Sequence, residues 1–181
     1  MATLKLGSTT AISESSGTVS IPSSVSFPAG HIIQINSTQG FASQVFDADV
    51  DVILEVALSN VKASSHVYIS WQVPVQLSTG ATNAEGLEIY LYRDGSSQSV
   101  GSVVSGTNII PANASPNEAV GWAFKGSVNI ELYWTESGSC IDENALTGTN
   151  IYKLCGSSYG ASPQICAHEG LISMTAMEVA R

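Results

Sequence analysis

The chain has 181 residues, 44% of them hydrophobic, enough for one domain with a core of its own plus a short extension. Its 15 acids against 6 Lys and Arg give a formal charge of −9, which excludes nucleic-acid binding, because that needs clustered bases to displace counterions. The bases Lys5, Lys62, Arg93, Lys125, Lys153 and Arg181 are scattered, no run nears eighteen consecutive apolar residues, and Met1-Ala2-Thr3-Leu4-Lys5 starts no basic-then-apolar leader; neither membrane insertion nor a secretion signal is expected.

Only 12% of residues are charged and serine is the commonest, so the surface must be built largely from Ser, Thr, Asn, Gln and Gly. Such neutral polar surfaces suit extracellular or particle-borne proteins. In residues 1–27 small polar and apolar residues alternate as in strands, with large side chains only at Leu4, Leu6, Ile12, Val19, Ile21, Val25 and Phe27. That is too little apolar area to offset the entropy of ordering Ser, Thr and Gly. The segment must find neighbours, either on the rest of its own chain or on the same segment of sister subunits.

Pro28-Ala29-Gly30 signals a turn, and residues 31–36 then read as a strand. Between Gln44 and Ser59, Val50, Val52, Leu54, Val56 and Leu58 share one parity while Asp47, Asp49, Asp51 and Glu55 take the other. This predicts one half-buried strand with outward carboxylates. Residues 65–75 repeat the pattern with Val67, Ile69, Trp71 and Val73 on one face, and Pro74 marks a bend or an edge. Leu87 to Arg93 is a further strand. Asp94-Gly95 signals a hairpin into a strand over 99–105. Residues 121–124, 127–134, 150–154 and 171–179 complete the set, and no segment has helical periodicity with caps at both ends. Glu136–Gly148 and Gly156–Gln164, rich in Gly and Ser, read as the longest loops, and loops at one end of a sandwich are where recognition sits. About eight to ten short strands separated by turn residues predict an all-β protein, an antiparallel β-sandwich or jelly roll. Residues 28–181 form its head and residues 1–27 a short extended N-terminal arm.

Few residues suggest chemistry. Asp47, Asp49 and Asp51 on one strand face offer hard oxygen ligands for calcium, although a solvated face explains them equally. Cys140, Cys155 and Cys166 are expected as reduced thiols in loops, with a Cys155–Cys166 bridge as the alternative. With His168 they lack the paired spacing of a zinc site. No G-x-S-x-G elbow accompanies the three histidines, and the carboxylate pairs Glu85/Glu88 and Asp142/Glu143 sit where solvated loops are expected. The expectation is a protein that is not an enzyme and takes no cofactor and no metal. Trp71, Trp122 and Trp134 fall on apolar parities, as core or intersubunit filler. Tyr92, Tyr152 and Tyr159 are expected to be exposed, and Tyr152 and Tyr159 are the candidates for receptor contact.

Residues 17–21 and 25–34, Gly-Thr-Val-Ser-Ile and Val-Ser-Phe-Pro-Ala-Gly-His-Ile-Ile-Gln, resemble a junction in tailed-bacteriophage fibre and virion structural proteins. The resemblance continues through residues 88–95, Glu-Ile-Tyr-Leu-Tyr-Arg-Asp-Gly, and a terminal strand at 172–180. It implies a homotrimer of tumour-necrosis-factor-like jelly-roll heads above a thin stalk. A typical fibre carries a long shaft before this junction, whereas here the chain starts almost at the motif, so the expectation is a capsid-decorating (cement or head fibre) protein or a small fibre. It would be made in the host cytoplasm and carried on the virion surface. Leu4, Leu6, Ile12, Val19, Ile21 and Phe27 would serve assembly and anchoring to other virion proteins of capsid or tail. The alternatives are a tail-fibre tip whose 136–164 loops recognise a host surface glycan or protein receptor, and a lectin or carbohydrate-active enzyme.

Overall fold

The computed structural model describes residues 2–6, 9–15, 18–20, 28–40, 44–46, 49–77, 85–99, 102, 104–109, 119–125, 132–159, 164–166 and 170–181. Among them every regular element is a strand. The first three, β1 (Ala2–Leu6), β2 (Thr9–Ser15) and β3 (Thr18–Ser20), pair in order as an antiparallel meander, with Leu4 opposite Ile12. The N-terminal segment thus satisfies its backbone first on itself, as alternating but weakly apolar strands can. Leu6 and Val19 lie on the same small sheet; Ile21 and Phe27 fall outside the described residues.

The remaining strands are β4 (Ile32–Gly40), β5 (Gln44–Phe46), β6 (Asp51–Val61), β7 (His66–Leu77), β8 (Glu85–Asp94), β9 (Thr107–Asn108), β10 (Gly121–Lys125), β11 (Leu132–Asp142), β12 (Gly148–Tyr159), β13 (Gln164–Cys166) and β14 (Ile172–Val179). They make two antiparallel sheets. One contains β4-β14-β7-β11, with β13 and β5 continuing from the far end of β7. The other contains β6-β12-β8-β10, with β9 on β8. Counting only β4, β6, β7, β8, β10, β11, β12 and β14, the first sheet has chain order 1-8-3-6 and the second 2-7-4-5. That is jelly-roll connectivity, two Greek keys folded into a sandwich.

The core follows from the alternation. Val67, Ile69, Trp71 and Val73 of β7 meet Leu87, Ile89 and Leu91 of β8, Leu154 of β12, and Ile172, Met174 and Ala176 of β14, all buried. Each large apolar side chain among them contributes about 1.5–3 kcal/mol by leaving water. Pro74 stays inside β7 because β14 pairs only up to Gln72 and β13 resumes at Val75, so its missing N–H interrupts no described ladder on that side.

Four expectations are corrected. Residues 44–59 form two strands, β5 and β6, and a bulge at the Leu154/Cys155 step sends Val52 to the opposite face from Leu54. The segment 99–105 is no strand in its described residues; β8 pairs instead with β9 across a long loop, which Gly106 closes at φ +123°, where an added Cβ would lie 2.6 Å from the Arg93 carbonyl oxygen. Most of 136–148 and of 156–164 is strand, not loop: β11 runs to Asp142, β12 to Tyr159, and only a turn near Glu143–Thr147 separates them. The cysteines therefore sit on strands β11, β12 and β13, and Cys140 and Cys155 are free thiols, so Cys155 forms no bridge with Cys166.

Burial raises both described thiols. Cys140, beside the Asp142 carboxylate, is pushed up to about 12, and Cys155 is raised by burial as well. At pH 8 only about one Cys140 in 10,000 is then a thiolate, the form that reacts. We expect native protein to yield at most one thiol to Ellman's reagent, and all three after unfolding in guanidinium; rapid reaction of two or more in the native state would contradict this packing.

Candidate interaction face

The two outer faces of the sandwich differ in what covers them. On the β6-β12-β8-β10 sheet, Val52, Tyr90 and Cys155 form a small apolar cluster, with Val50, Tyr92, Val104 and Ala119 packed against it. Ser102 and Val104 of the 96–105 segment lie against it, bonded from Val52 N–H to Ser102 O (3.0 Å) and from Val104 N–H to Val50 O (2.8 Å). Lys153, fully buried, anchors this loop by donating to Gln98 Oε1 (2.6 Å), Asp94 Oδ2 (3.2 Å) and Ser105 O (3.3 Å). Asp94 is held below the usual carboxylate range, first by the Gly95 N–H at 2.6 Å and then by Lys153. The Gln98 N–H donates to Glu55 Oε2 at 3.0 Å. This face carries charge and is closed by its own chain.

The outer face of β4-β14-β7-β11 is different. Its registers align Ile35, Met177, Tyr68 and Ile141 as one cross-strand row. The next row is Ser37, Thr175, Ser70 and Ser139, with Ser37 and Thr175 hydroxyls 2.9 Å apart, and the one after is Gln39, Ser173, Gln72 and Ser137. On the other side of the apolar row lie Ile32, Val179 and His66. Ile35 is 57% and Ile141 51% exposed, and Ile32 and Tyr68 are also open to solvent. None of these positions is Asp, Glu, Lys or Arg.

Directly behind the apolar row, three of the four inward residues are polar. Gln34, Glu178, Val67 and Asp142 form the adjacent row facing the other sheet. Glu178, fully buried, accepts from the Lys62 N–H (2.7 Å) and from Gln34 Nε2 (2.5 Å), and Gln34 also reaches Ser59 O (2.9 Å). These bonds fasten the β6–β7 turn to β14. Asp142 Oδ2 accepts from Arg93 Nη1 (2.5 Å) and from the Tyr152 hydroxyl (3.0 Å), while Arg93 also donates to Asn144 O (2.6 Å). Arg93 and Tyr152 come from one sheet and Asp142 from the other, so the cluster stitches the two together. A cleft of about 440 Å³ opens beside it, lined by Arg93, Asn108, Ile109, Cys140, Asp142 and neighbours. At this end of the sandwich the usual polarity is inverted, with carboxylates inside and isoleucines outside. A buried charge and an exposed apolar row are each informative, and here they occupy successive residues, Asp142/Ile141 and Glu178/Met177.

The structure places the residues singled out from sequence as follows. Tyr152 is corrected: its ring is fully buried and its hydroxyl is spent on Asp142, because position 152 falls on the inward parity of β12 opposite Val56 and Arg93. Burial and the Asp142 charge both raise its phenol. Tyr92 is half-buried beside the 96–105 loop. The side chain of Tyr159, and those of Trp122, Trp134, Cys166 and the N-terminal Leu4, Leu6, Ile12 and Val19, lie outside the described residues, as do Asp47 and His168. Asp49 precedes β6 and Asp51 begins it, so the three aspartates do not share one strand face. Among the described residues no group of three His, Cys, Asp or Glu stands close enough to hold a metal, and no helix is long and apolar enough to cross a membrane. Ile35, Tyr68, Ile141 and Met177 were not singled out. Their signal was apolar residues on both parities, as in Val67-Tyr68-Ile69 and Ala176-Met177.

No protein-family model and no curated protein matches the sequence. Among solved structures, a chain in the structure of infectious bursal disease virus Gx strain is similar over 93% of this chain, at 10% identity and a TM-score of 0.44. This chain covers 37% of that neighbour's length.

Proposed function

We propose that this protein is a bacteriophage virion structural subunit, a homotrimeric fibre-type or capsid-decorating jelly roll attached to its particle through residues 1–27. It acts by assembly and not by catalysis. The observation that supports this reading is the asymmetry of the sandwich: one outer face is closed by the chain's own loop, while the other is left bare, uncharged and apolar at one end. A subunit that ends its life in a particle needs such a face, and a freely diffusing monomer is penalised for one. The likeness of residues 17–21, 25–34, 88–95 and 172–180 to phage fibre and virion proteins agrees with it. The receptor-tip alternative has lost Tyr152 and most of its loops to the two sheets.

The test is a chain lacking residues 1–27, added to particles that lack the protein. The truncated chain is expected to keep its far-ultraviolet β spectrum and its multimeric mass but to sediment free of particles. Decoration by the truncated chain at the level of the full one overturns the anchoring role.

A further inference from the structure

We infer that the outer face of the β4-β14-β7-β11 sheet, centred on Ile35, Met177, Tyr68 and Ile141, is the surface on which a second copy of this chain docks. The inference rests on the homo-oligomeric part of the reading above and adds the surface that makes it.

Charge selects the occupant. The chain carries −9, so two copies avoid direct like-charge contact only where neither surface is charged. The Ile35–Ile141, Ser37–Ser139 and Gln39–Ser137 rows offer such a region, twelve positions without an ionisable Asp, Glu, Lys or Arg. A basic partner gains nothing from a neutral face in an acidic protein, whereas a copy of the same chain gains apolar contact there without setting like charges against each other.

Area agrees. Four strands about 4.8 Å apart and rows running about seven residues along them give a face of roughly 19 by 24 Å. That is roughly 450 Å² in projection, which side-chain relief brings toward the about 800 Å² that each partner of a stable complex buries. The Ser and Thr hydroxyls beside the apolar row supply donors and acceptors for a polar rim, so the layout is that of an interface with an apolar centre set toward one end.

The inverted polarity adds a third reason. Glu178 and Asp142 give this end of the sheet fixed, fully bonded inner contacts, so the outward row is held in register and cannot turn its isoleucines inward. The apolar side chains can leave water only by being covered from outside.

The experiment is light scattering on the full chain and three variants. Tyr68→Glu introduces a like charge at the centre of the face. Ser139→Arg replaces an exposed serine in the next row, removes no apolar contact, and carries the test should Tyr68→Glu fail to fold. Ser96→Glu, on the exposed loop of the other sheet, is the control. Wild type and Ser96→Glu are expected at a whole multiple of 18.8 kDa, and Tyr68→Glu and Ser139→Arg at the single-chain mass, with association weakened at least tenfold and the β spectrum kept. A multimeric wild type with both face variants equally multimeric overturns the face and leaves the homo-oligomer standing. A monomeric wild type overturns both. A twofold mass lost in the face variants supports the face and overturns the trimer.

Discussion

Replacing Asp142 by alanine is expected to lower the unfolding free energy by about 3–5 kcal/mol, the usual cost of leaving a buried charge without its partner. Arg93 is 9% and Asp142 3% exposed, so water offers the orphaned guanidinium little compensation, and among the described residues only Asn144 O stays on it. The Tyr152 hydroxyl loses its acceptor in the same step. Removing that hydroxyl by Tyr152→Phe costs only about 1 kcal/mol, since it takes away one hydrogen bond and leaves the ion pair. Replacing both ends of the pair, as in Arg93→Met with Asp142→Leu, is expected to recover most of the loss, because no charge is then left buried. Urea unfolding monitored by tryptophan fluorescence decides it. With slopes of about 1–3 kcal/mol/M, Asp142→Ala moves the midpoint by about 1 M or more, at unchanged slope. A loss under about 1 kcal/mol would mean that water from the adjoining cleft solvates Arg93, and that the inner row is not what fixes the register of Ile141.

How much of this was legible follows the density of large apolar residues. Strands β7, β8 and β14, and β6 from Leu54 on, carry alternation strong enough to be read directly, and Val67, Ile69, Trp71, Val73, Ile172, Met174 and Ala176 are buried as that pattern demands. The all-β sandwich follows from it. Strand β11 was legible only at its start, Leu132 to Trp134, because Glu136 to Asp142 holds glycine and serine where an isolated strand needs bulk. Its bulk is supplied by the neighbour: Trp71 lies over Gly138, and the pair counts as one filled position of the core. The 96–105 segment misled for the opposite reason: its valines have strand propensity, yet the described Val104 packs on the Val52 cluster beside a bulge that no period of two anticipates. The interaction face was hidden because Ile141 and Met177 have buried charges as chain neighbours. Parity assigns a strand's apolar residues to the inside, and here the phase is set by the hydrogen bonds of Glu178 and Asp142.

Gly138→Ala is expected to destabilise the fold by about 1–3 kcal/mol although it adds a single methyl group and favours the strand conformation. A Cβ at position 138 would enter the space of the Trp71 indole, in contact with its six-membered ring. The indole has little room to yield, being 5% exposed in the middle of the core. Trp71→Ala by itself is expected to cost about 3–5 kcal/mol through the cavity it leaves. The double variant distinguishes steric conflict from a simple dislike of alanine at this site. With the indole gone, the methyl group has space and partly fills it, so Gly138→Ala becomes neutral or stabilising in the Trp71→Ala background, a coupling of about 1–3 kcal/mol. Additive losses would show that β11 is seated by something other than this contact. The same contact bears on assembly, because β11 carries Ile141 and Ser139 and is held beside Tyr68 through the Gly138–Trp71 register. Gly138→Ala should therefore weaken association along with stability, and Trp71→Ala/Gly138→Ala should restore association more fully than it restores stability. Light scattering and urea unfolding on the same four proteins separate the two.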